Sequence, residues 1–443
     1  MIDNSFNLLN HIVDEQDQSI VIWLFNIGVE RYWSNFTNVV KDPNEDKIVR
    51  HIEEINLLIT RKQDYMIMRR PPSDEFLSDL DSLGFCVPHI ICPSCENDDK
   101  DISELILEDD SILDLLKELG RKDCVYFVPY GVSHLEEKIS DVCGLHLIGN
   151  SNEHSKIVNN KIFSKNTARE LGLPFAEDKV CTSVEEIEEA YYSLSKKYSK
   201  VIIKMPCNSS GRGMWVLDSE RKFKTVCAII KRIAKTHQID EWLVEGWIDK
   251  KMDLNYQIYV SETGYVSTFS IKEQIVEETL YVGSVLPARI DDVLTEECKK
   301  CGSLIGKYLY SLGYTGVFGI DALIADDGTL IPIIEINGRF TLSTYLSFIE
   351  KRYGGKFIYA YYKRFCSSEV DYKSLKEKMQ DRNLWVKDGN GIFIYNESTA
   401  DSSLANGRLR LFCLAIGDSE DHVNKLKNDT DKLCDSFILF KEN

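Results

Sequence analysis

The sequence predicts an α/β protein of several units: a parallel α/β region, then a mixed α+β core, then a small α+β appendix. Three observations carry this. Up to about residue 150, short apolar runs alternate with stretches of helical spacing, the arrangement that places a parallel sheet between helices. Around Asn150–Asn160 the pattern changes, and a helix opens a second unit that becomes β-rich from Asn255. Beyond about residue 366 a Lys-rich segment leads to two more strands and a helix. At 443 residues the chain is too long for one ordinary core. The expected units are 1–150, 151–366 and 367–443.

In the first unit the runs Ile20–Phe25, Ile55–Ile59, Tyr65–Met68, Val87–Ile91, Val125–Val128 and Leu145–Ile148 read as strands, and Asp74–Leu83, Ser103–Leu119 and Ser133–Cys143 as helices. A single glycine, Gly28, follows the first strand, so the dinucleotide fingerprint of a dehydrogenase is absent. The second unit opens with a helix from Lys161 to Leu171, stopped by Gly172-Leu173-Pro174. A helix over Ser183–Tyr198 follows, with Ser183 as cap and Glu186 closing the capping box. Next come strands Val201–Met205 and Trp215–Leu217, the helix Phe223–Thr236 and the strand Trp242–Glu245. A β-rich stretch Asn255–Val285, the helix Glu296–Leu312, strands Gly316–Ile324 and Leu330–Ile336, and a helical tail towards Phe365 complete it. In the appendix, Lys373–Lys378 reads as a linker or connecting helix, Gly391–Tyr395 and Arg408–Ile416 as strands, and Ser419–Phe437 as a helix.

Lys and Arg total 53 against 71 Asp and Glu, a net charge of −18 that repels nucleic acid and anionic membranes. The first eighteen residues carry no basic n-region, and Ile20–Phe25 is too short to span a bilayer. The expectation is a cytoplasmic protein without signal peptide or membrane span. Thirteen cysteines, an odd number, fit reduced thiols. Cys92/Cys95 and Cys298/Cys301 each have half-zinc-site spacing, but the pairs lie far apart in sequence and read as plain thiols.

Asp321, Glu335 and Asn337 form the strongest chemical signal. Two apolar strands joined by Asp326-Asp327-Gly328 would set Asp321 beside Glu335, and Asn337, two residues on, shares the face. Hard oxygen donors on one sheet face suit Mg²⁺; solvated strand-end carboxylates are the alternative. An unpaired charge inside each apolar run is costly, which favours the metal. In Ser209-Ser210-Gly211-Arg212-Gly213-Met214, backbone N–H groups, hydroxyls and Arg212 could close over phosphates; a plain hairpin turn is the alternative. Glu241–Trp247 is either an apolar strand leaving into an adenine-reading loop or a core strand, and Asp253 either a ribose ligand or a surface acid.

Taken in order, Lys161, Lys204, the loop Ser209–Met214, Glu245, Asp253, Asp321 and Glu335-Ile336-Asn337-Gly338-Arg339 resemble the ATP-grasp superfamily, over about Ser151 to Phe365. The region before it resembles the domain that precedes such cores. Trp23–Trp33 and the late strand Leu414–Asp418 look like the group containing the pheganomycin-type peptide ligases and the butirosin-pathway glutamate-carrier-protein ligase. The resemblance implies a pre-ATP-grasp α/β domain, an ATP-grasp core of two α+β lobes, and an ADP-forming carboxylate-amine ligase using ATP and Mg²⁺ (or Mn²⁺). An amino acid or peptide would be substrate, with loading of an acyl carrier protein as the alternative. It further implies that Lys161, Lys204 and Ser209 to Met214 hold phosphates, Glu245 lines the adenine slot and Asp253 holds the ribose. Asp321, Glu335 and Asn337 would bind metal, and Arg339, two residues past Asn337 and so on the same face if the strand continues, would stabilise the transferring group; an ordinary surface arginine beyond the strand end is the alternative. Lys204 counts among the catalytic candidates, with Lys272 and Arg289 as further cations. Asp253 is shorter than the glutamate common at its position.

Overall fold

The computed structural model describes residues 19–33, 42–207, 213–237 and 241–437. Among these, the strands form three sheets. The first is parallel: β1 (Ile20–Leu24), β2 (Tyr65–Ile67), β3 (His89–Ile91), β4 (Val125–Pro129) and β5 (His146–Leu147), in the order β3-β2-β1-β4-β5. Its central strand is anchored by the buried carboxylate of Asp64, which accepts from the Val21 N–H and the Trp23 indole. At the C-terminal end of β1, Asn26 exchanges two hydrogen bonds with the backbone of Gly131 and so couples the exits of β1 and β4.

A small antiparallel sheet follows: β6 (Asp178–Cys181), β7 (Val201–Lys204), β8 (Met214–Leu217) and β9 (Trp242–Gly246), ordered β6-β9-β7-β8. Helices Val184–Leu194 and Glu220–His237 pack on it through their apolar faces. The third sheet collects β10 (Lys250–Val260), β11 (Val266–Glu277), β12 (Leu280–Leu286), β13 (Gly316–Ala325), β14 (Leu330–Asn337), β15 (Phe357–Cys366), β16 (Gly391–Ile394) and β17 (Arg408–Gly417). Its order is β14-β13-β10-β11-β12-β15-β17-β16. The boundary expected near residue 366 thus falls at the end of β15, and the residues beyond it add β16 and β17 to the same sheet. One apolar cluster joins the two ends of the chain, with Trp23, Phe25 and Met66 sharing a core with Ile349, Phe393 and Leu414.

Three expected elements differ. The run Ile55–Ile59 is no strand; it belongs to a buried 3-10 helix, Glu53–Leu58. A short apolar run interrupted only by Asn56 cannot be told from a buried helical turn by periodicity, and here Glu54 fixes the turn by accepting from Ser398. The segment Ser103–Leu119 is two helices, Ile102–Leu107 and Asp110–Gly120, because Asp109 caps the second by accepting from the Ser111 and Ile112 N–H groups. The helical tail towards Phe365 ends at Arg352, and Phe357–Cys366 is β15, paired with β12 and β17. Its aromatic and β-branched side chains suit a pleated surface better than a helix. In the helix Val184–Leu194, Ser183 caps as expected, while Glu186 reaches the Thr182 N–H instead of closing the box on Ser183.

Candidate active site

The third sheet carries a polar row across four strands. Glu335, Asp321, Asn255 and Lys272 are register partners on β14, β13, β10 and β11 in turn. Asn337 pairs with Gly319 one step along, and Gly319 with Gln257. A side chain at Gly319 would meet Gln257 and Thr341 at 2.8 Å, so the bare position leaves room for the amides beside it. The Asp321 carboxylate accepts from Asn255 Nδ2 (2.9 Å), Gln274 Nε2 (2.8 Å) and Asn337 Nδ2 (3.1 Å). Burial and the nearby Glu335 push its carboxyl up, and the three amide donors oppose this. Asn337 turns its nitrogen to Asp321, so its amide oxygen is the atom it can offer an ion.

The helix Lys161–Glu170 delivers the cations. Its first turn is bound to the sheet: Ser164 Oγ accepts from the Ile336 N–H and Asn159 from the Gly338 N–H. Lys161 Nζ lies 2.7 Å from Glu335 Oε1, at the edge of the acidic pair. One turn on, Lys165 contacts Glu245 at 2.6 Å, and Lys204 pairs with the other oxygen of the same carboxylate. All three groups are buried. Burial opposes the Glu245 charge, yet the two ammoniums hold its carboxyl at about 2. Glu245 is therefore the anionic clamp of two lysines; the adenine-slot expectation placed it on the slot wall. Lys165 was not anticipated. Its signal was the i, i+4 spacing from Lys161, which puts both on one helix face.

Asp253 lies on the same face of β10 as Asn255, two residues away, and pairs with Lys250 at 2.6 Å. Lys250 stands 5.5 Å from the Trp247 ring. Of the glycine loop, Gly213 and Met214 are described, Gly213 with φ of 67° and Met214 opening β8. Ser209, Ser210, Gly211 and Arg212 lie outside the described residues.

Three expectations about cations need correction. Arg339 is not on the metal face by strand periodicity, because β14 ends at Asn337 and the Arg339 N–H turns back to the Asn337 carbonyl. Its guanidinium instead reaches the first unit, 2.9 Å from Glu30 and 2.9 Å from the Tyr130 hydroxyl, still within electrostatic range of Glu335 and Asp321. Lys272 is fully buried, donating to Ser270 and to Ser347 (2.7 Å) of the helix Leu342–Arg352, and burial lowers its ammonium to about 8. That helix covers it. Arg289 is not brought to the cluster: it pairs with Glu273, which points away from the Lys272–Gln274 face of β11, and with Glu420 of the last helix.

Two carboxylates and an amide oxygen leave an ion short of oxygens. Among the described residues no group of three or more His, Cys, Asp or Glu could hold one. That donor set fits Mg²⁺, which completes its shell with phosphate oxygens and water. Lys161 stands beside this carboxylate pair and Lys204 ends β7 of the small sheet, and residues 166–341 match the ATP-grasp domain family. The chain carries an ATP-grasp domain over these residues. It is 27% identical to the [butirosin acyl-carrier protein]–L-glutamate ligase of Niallia circulans, over 93% of this chain and 94% of that protein. It is 22% identical to the N5-carboxyaminoimidazole ribonucleotide synthase of Bacillus subtilis, over 42% of this chain and 47% of that one. Among solved structures, an N5-carboxyaminoimidazole ribonucleotide synthetase in complex with ADP superposes with a TM-score of 0.56 at 14% identity, covering 95% of this chain and 97% of that one. The biotin carboxylase domain of the Hydrogenobacter thermophilus 2-oxoglutarate carboxylase gives 0.56 at 14%, covering 93% and 89%. These likenesses establish the fold. No helix among the described residues is long and apolar enough to cross a membrane.

Proposed function

We propose that this ATP-grasp ligase activates the carboxylate of an amino acid or peptide with ATP and joins it to an amine, forming an amide and releasing ADP and phosphate. The observation that carries the reading is the Asp321–Glu335–Asn337 face with Lys161 against Glu335, a cation and a metal-type donor set meeting at one point. A carboxylate resists attack because oxide is a poor leaving group. Transfer of the γ-phosphoryl group to a carboxylate oxygen breaks the bond to ADP and installs phosphate as the leaving group. The amine then attacks the acyl carbon, loses a proton and expels phosphate. Mg²⁺ held by Asp321, Glu335 and Asn337 would neutralise charge on the phosphates. Lys161 and Lys204 would hold the phosphates, Asp253 the ribose, and Arg339 would sit where charge develops. Gly213 and Met214, with the loop before them, would cover the phosphates. No side-chain nucleophile is needed.

A second reading, a thioester formed on an acyl carrier protein, is favoured by the near full-length match to the glutamate ligase, which reaches the first and last units as well as the core. Both readings share the acyl phosphate and differ in acceptor. ADP release should be screened against amino acids, small peptides and a holo carrier protein, with product masses determined. An amide product supports the first reading and a carrier-bound acyl group the second. AMP with pyrophosphate in stoichiometric amount would sink both.

A further inference from the structure

Each oxygen of a carboxylate can accept about two hydrogen bonds. Oδ1 of Asp321 accepts from both Asn255 Nδ2 (2.9 Å) and Gln274 Nε2 (2.8 Å), which fills it, while Oδ2 accepts from Asn337 Nδ2 (3.1 Å) and keeps one position open. Asp321 can therefore offer a divalent cation Oδ2 alone, the oxygen that also fixes the Asn337 amide. Closing Oδ1 depends on the direction in which Asn255 points, and the side chains behind Asn255 decide that direction.

From Asp321 a file of buried polar groups runs back to a helix. Asn255 Oδ1 accepts from Gln257 Nε2 (2.5 Å), Gln257 Nε2 also donates to Thr341 Oγ1 (3.0 Å), and Gln257 Oε1 accepts from the Thr344 hydroxyl (2.6 Å). Thr341 stands at the N-terminus of the helix Leu342–Arg352, and its N–H donates to Thr344 Oγ1 (2.9 Å). Asn255, Gln257 and Thr344 are buried, so water does not stand in for a missing partner. The file has one consistent direction. A carboxylate only accepts, so Asn255 turns its nitrogen to Asp321 and its oxygen to Gln257; Gln257 then presents nitrogen to Asn255 and oxygen to Thr344, whose hydroxyl donates. Reversing Asn255 would set oxygen against the Asp321 oxygen and nitrogen against the Gln257 nitrogen. Reversing Gln257 would set oxygen against the Asn255 oxygen. Gly319 preserves the space for this arrangement, since a Cβ there would come within 2.8 Å of Gln257 Nε2.

We propose that Gln257 is a positioning residue for the metal face. Held by the first turn of the helix Leu342–Arg352, it orients Asn255, and Asn255 holds Asp321 with Oδ2 as the oxygen left for the cation. The affinity for a divalent ion then depends on a side chain two hydrogen bonds removed from Asp321. The inference rests on the metal reading of Asp321, Glu335 and Asn337 given above. Groups that orient a metal ligand typically carry about 10–100-fold of a site's metal affinity.

The test titrates Mn²⁺ into the full-length protein carrying ADP, with protein in excess over ADP and free Mn²⁺ read by its electron paramagnetic resonance. Asp321→Asn should weaken Mn²⁺ binding and so mark the face. Gln257→Met, similar in shape but without donor or acceptor, should weaken it about tenfold or more, with ADP affinity in EDTA unchanged. Asn255→Ala should do the same. Because the two residues act in series, the double variant should bind Mn²⁺ about as weakly as the worse single variant, and losses that multiply to about a hundredfold would overturn the series. Wild-type Mn²⁺ affinity in a folded Gln257→Met protein overturns the proposal, as does a fall in metal-free ADP affinity by the same factor, the mark of a general packing role. Should Gln257→Met fail to fold, Thr344→Val, which removes only the hydroxyl that orients Gln257, decides: weaker Mn²⁺ binding supports the proposal and unchanged binding overturns it. If Asp321→Asn leaves Mn²⁺ binding at the wild-type level, the metal reading itself fails; if Asp321→Asn weakens it and Gln257→Met does not, only the positioning role fails.

Discussion

Replacing Glu245 by Gln removes the anion between two buried lysines without changing shape. In the folded protein the carboxyl sits at about 2, against an ordinary value of 4.5, a preference for the charged form worth about 3 kcal/mol. The substitution also leaves Lys165 and Lys204 facing each other uncompensated, and breaking a buried pair costs on the order of 3–5 kcal/mol. Glu245→Gln should therefore lose about 3–5 kcal/mol in urea unfolding at pH 7. Because the folded value is depressed, the carboxylate's contribution is complete above about pH 4.5 and is lost as pH falls towards 2; by pH 3.5 on the order of 1 kcal/mol of it should be gone. The gap between wild type and variant should narrow by that amount between pH 7 and pH 3.5. A variant within about 0.5 kcal/mol of wild type at pH 7, or a gap that stays constant on acidification, would refute the clamp.

Asp321→Asn and Glu335→Gln should abolish turnover with little change in thermal melting, and wild-type activity should require Mg²⁺ or Mn²⁺; normal turnover by either variant at saturating ATP removes the metal assignment. Arg339→Ala should lower kcat by about a hundredfold or more with a smaller change in ATP affinity, and Arg339→Lys should recover part; a wild-type kcat in Arg339→Ala refutes the role. Lys272 is linked to pH in the same direction as Glu245, but in an alkaline window and because its charged form is the disfavoured one. Its ammonium is lowered by burial from 10.5 to about 8, so wild-type stability should rise as pH climbs from about 8 towards 10.5. Lys272→Met should lack that rise, and a wild-type protein with no such slope contradicts the buried-ammonium reading. Arg289→Ala should leave kcat unchanged, because its partners Glu273 and Glu420 lie away from the polar row; a large fall in kcat would return it to the site.

Much of this arrangement was legible in the sequence because it follows local rules. Asp321 and Glu335 interrupt apolar strands, and a charge in that position needs a partner. The helix starting at Lys161 announced itself by its glycine and proline stop. What escaped depended on contacts between distant segments. Asn255, Gln257 and Gln274 sat within a stretch read only as β-rich, although Asn255 and Gln257 are two apart and so share a face. Arg339 was misplaced because nothing local marks that β14 stops two residues earlier. β15 was taken for a helix because its pairing partners, β12 and β17, lie about 70 residues before it and 50 after it in the chain. Ile55–Ile59 differs for a complementary reason: five residues, apolar except for Asn56, record burial and are too few to carry a periodicity.

The order β14-β13-β10-β11-β12-β15-β17-β16 has a consequence for synthesis. The strands bearing Asp321 and Glu335 are translated well before β17, which β15 and β16 both need as their partner. A nascent chain that has passed Cys366 carries the Asp321–Glu335 strand pair with one flank of β15 unpaired, an open edge prone to pairing with other chains. Closing it waits until β17 has been synthesised. A premature stop between β15 and β17 should therefore yield an aggregate rather than a shortened folded protein.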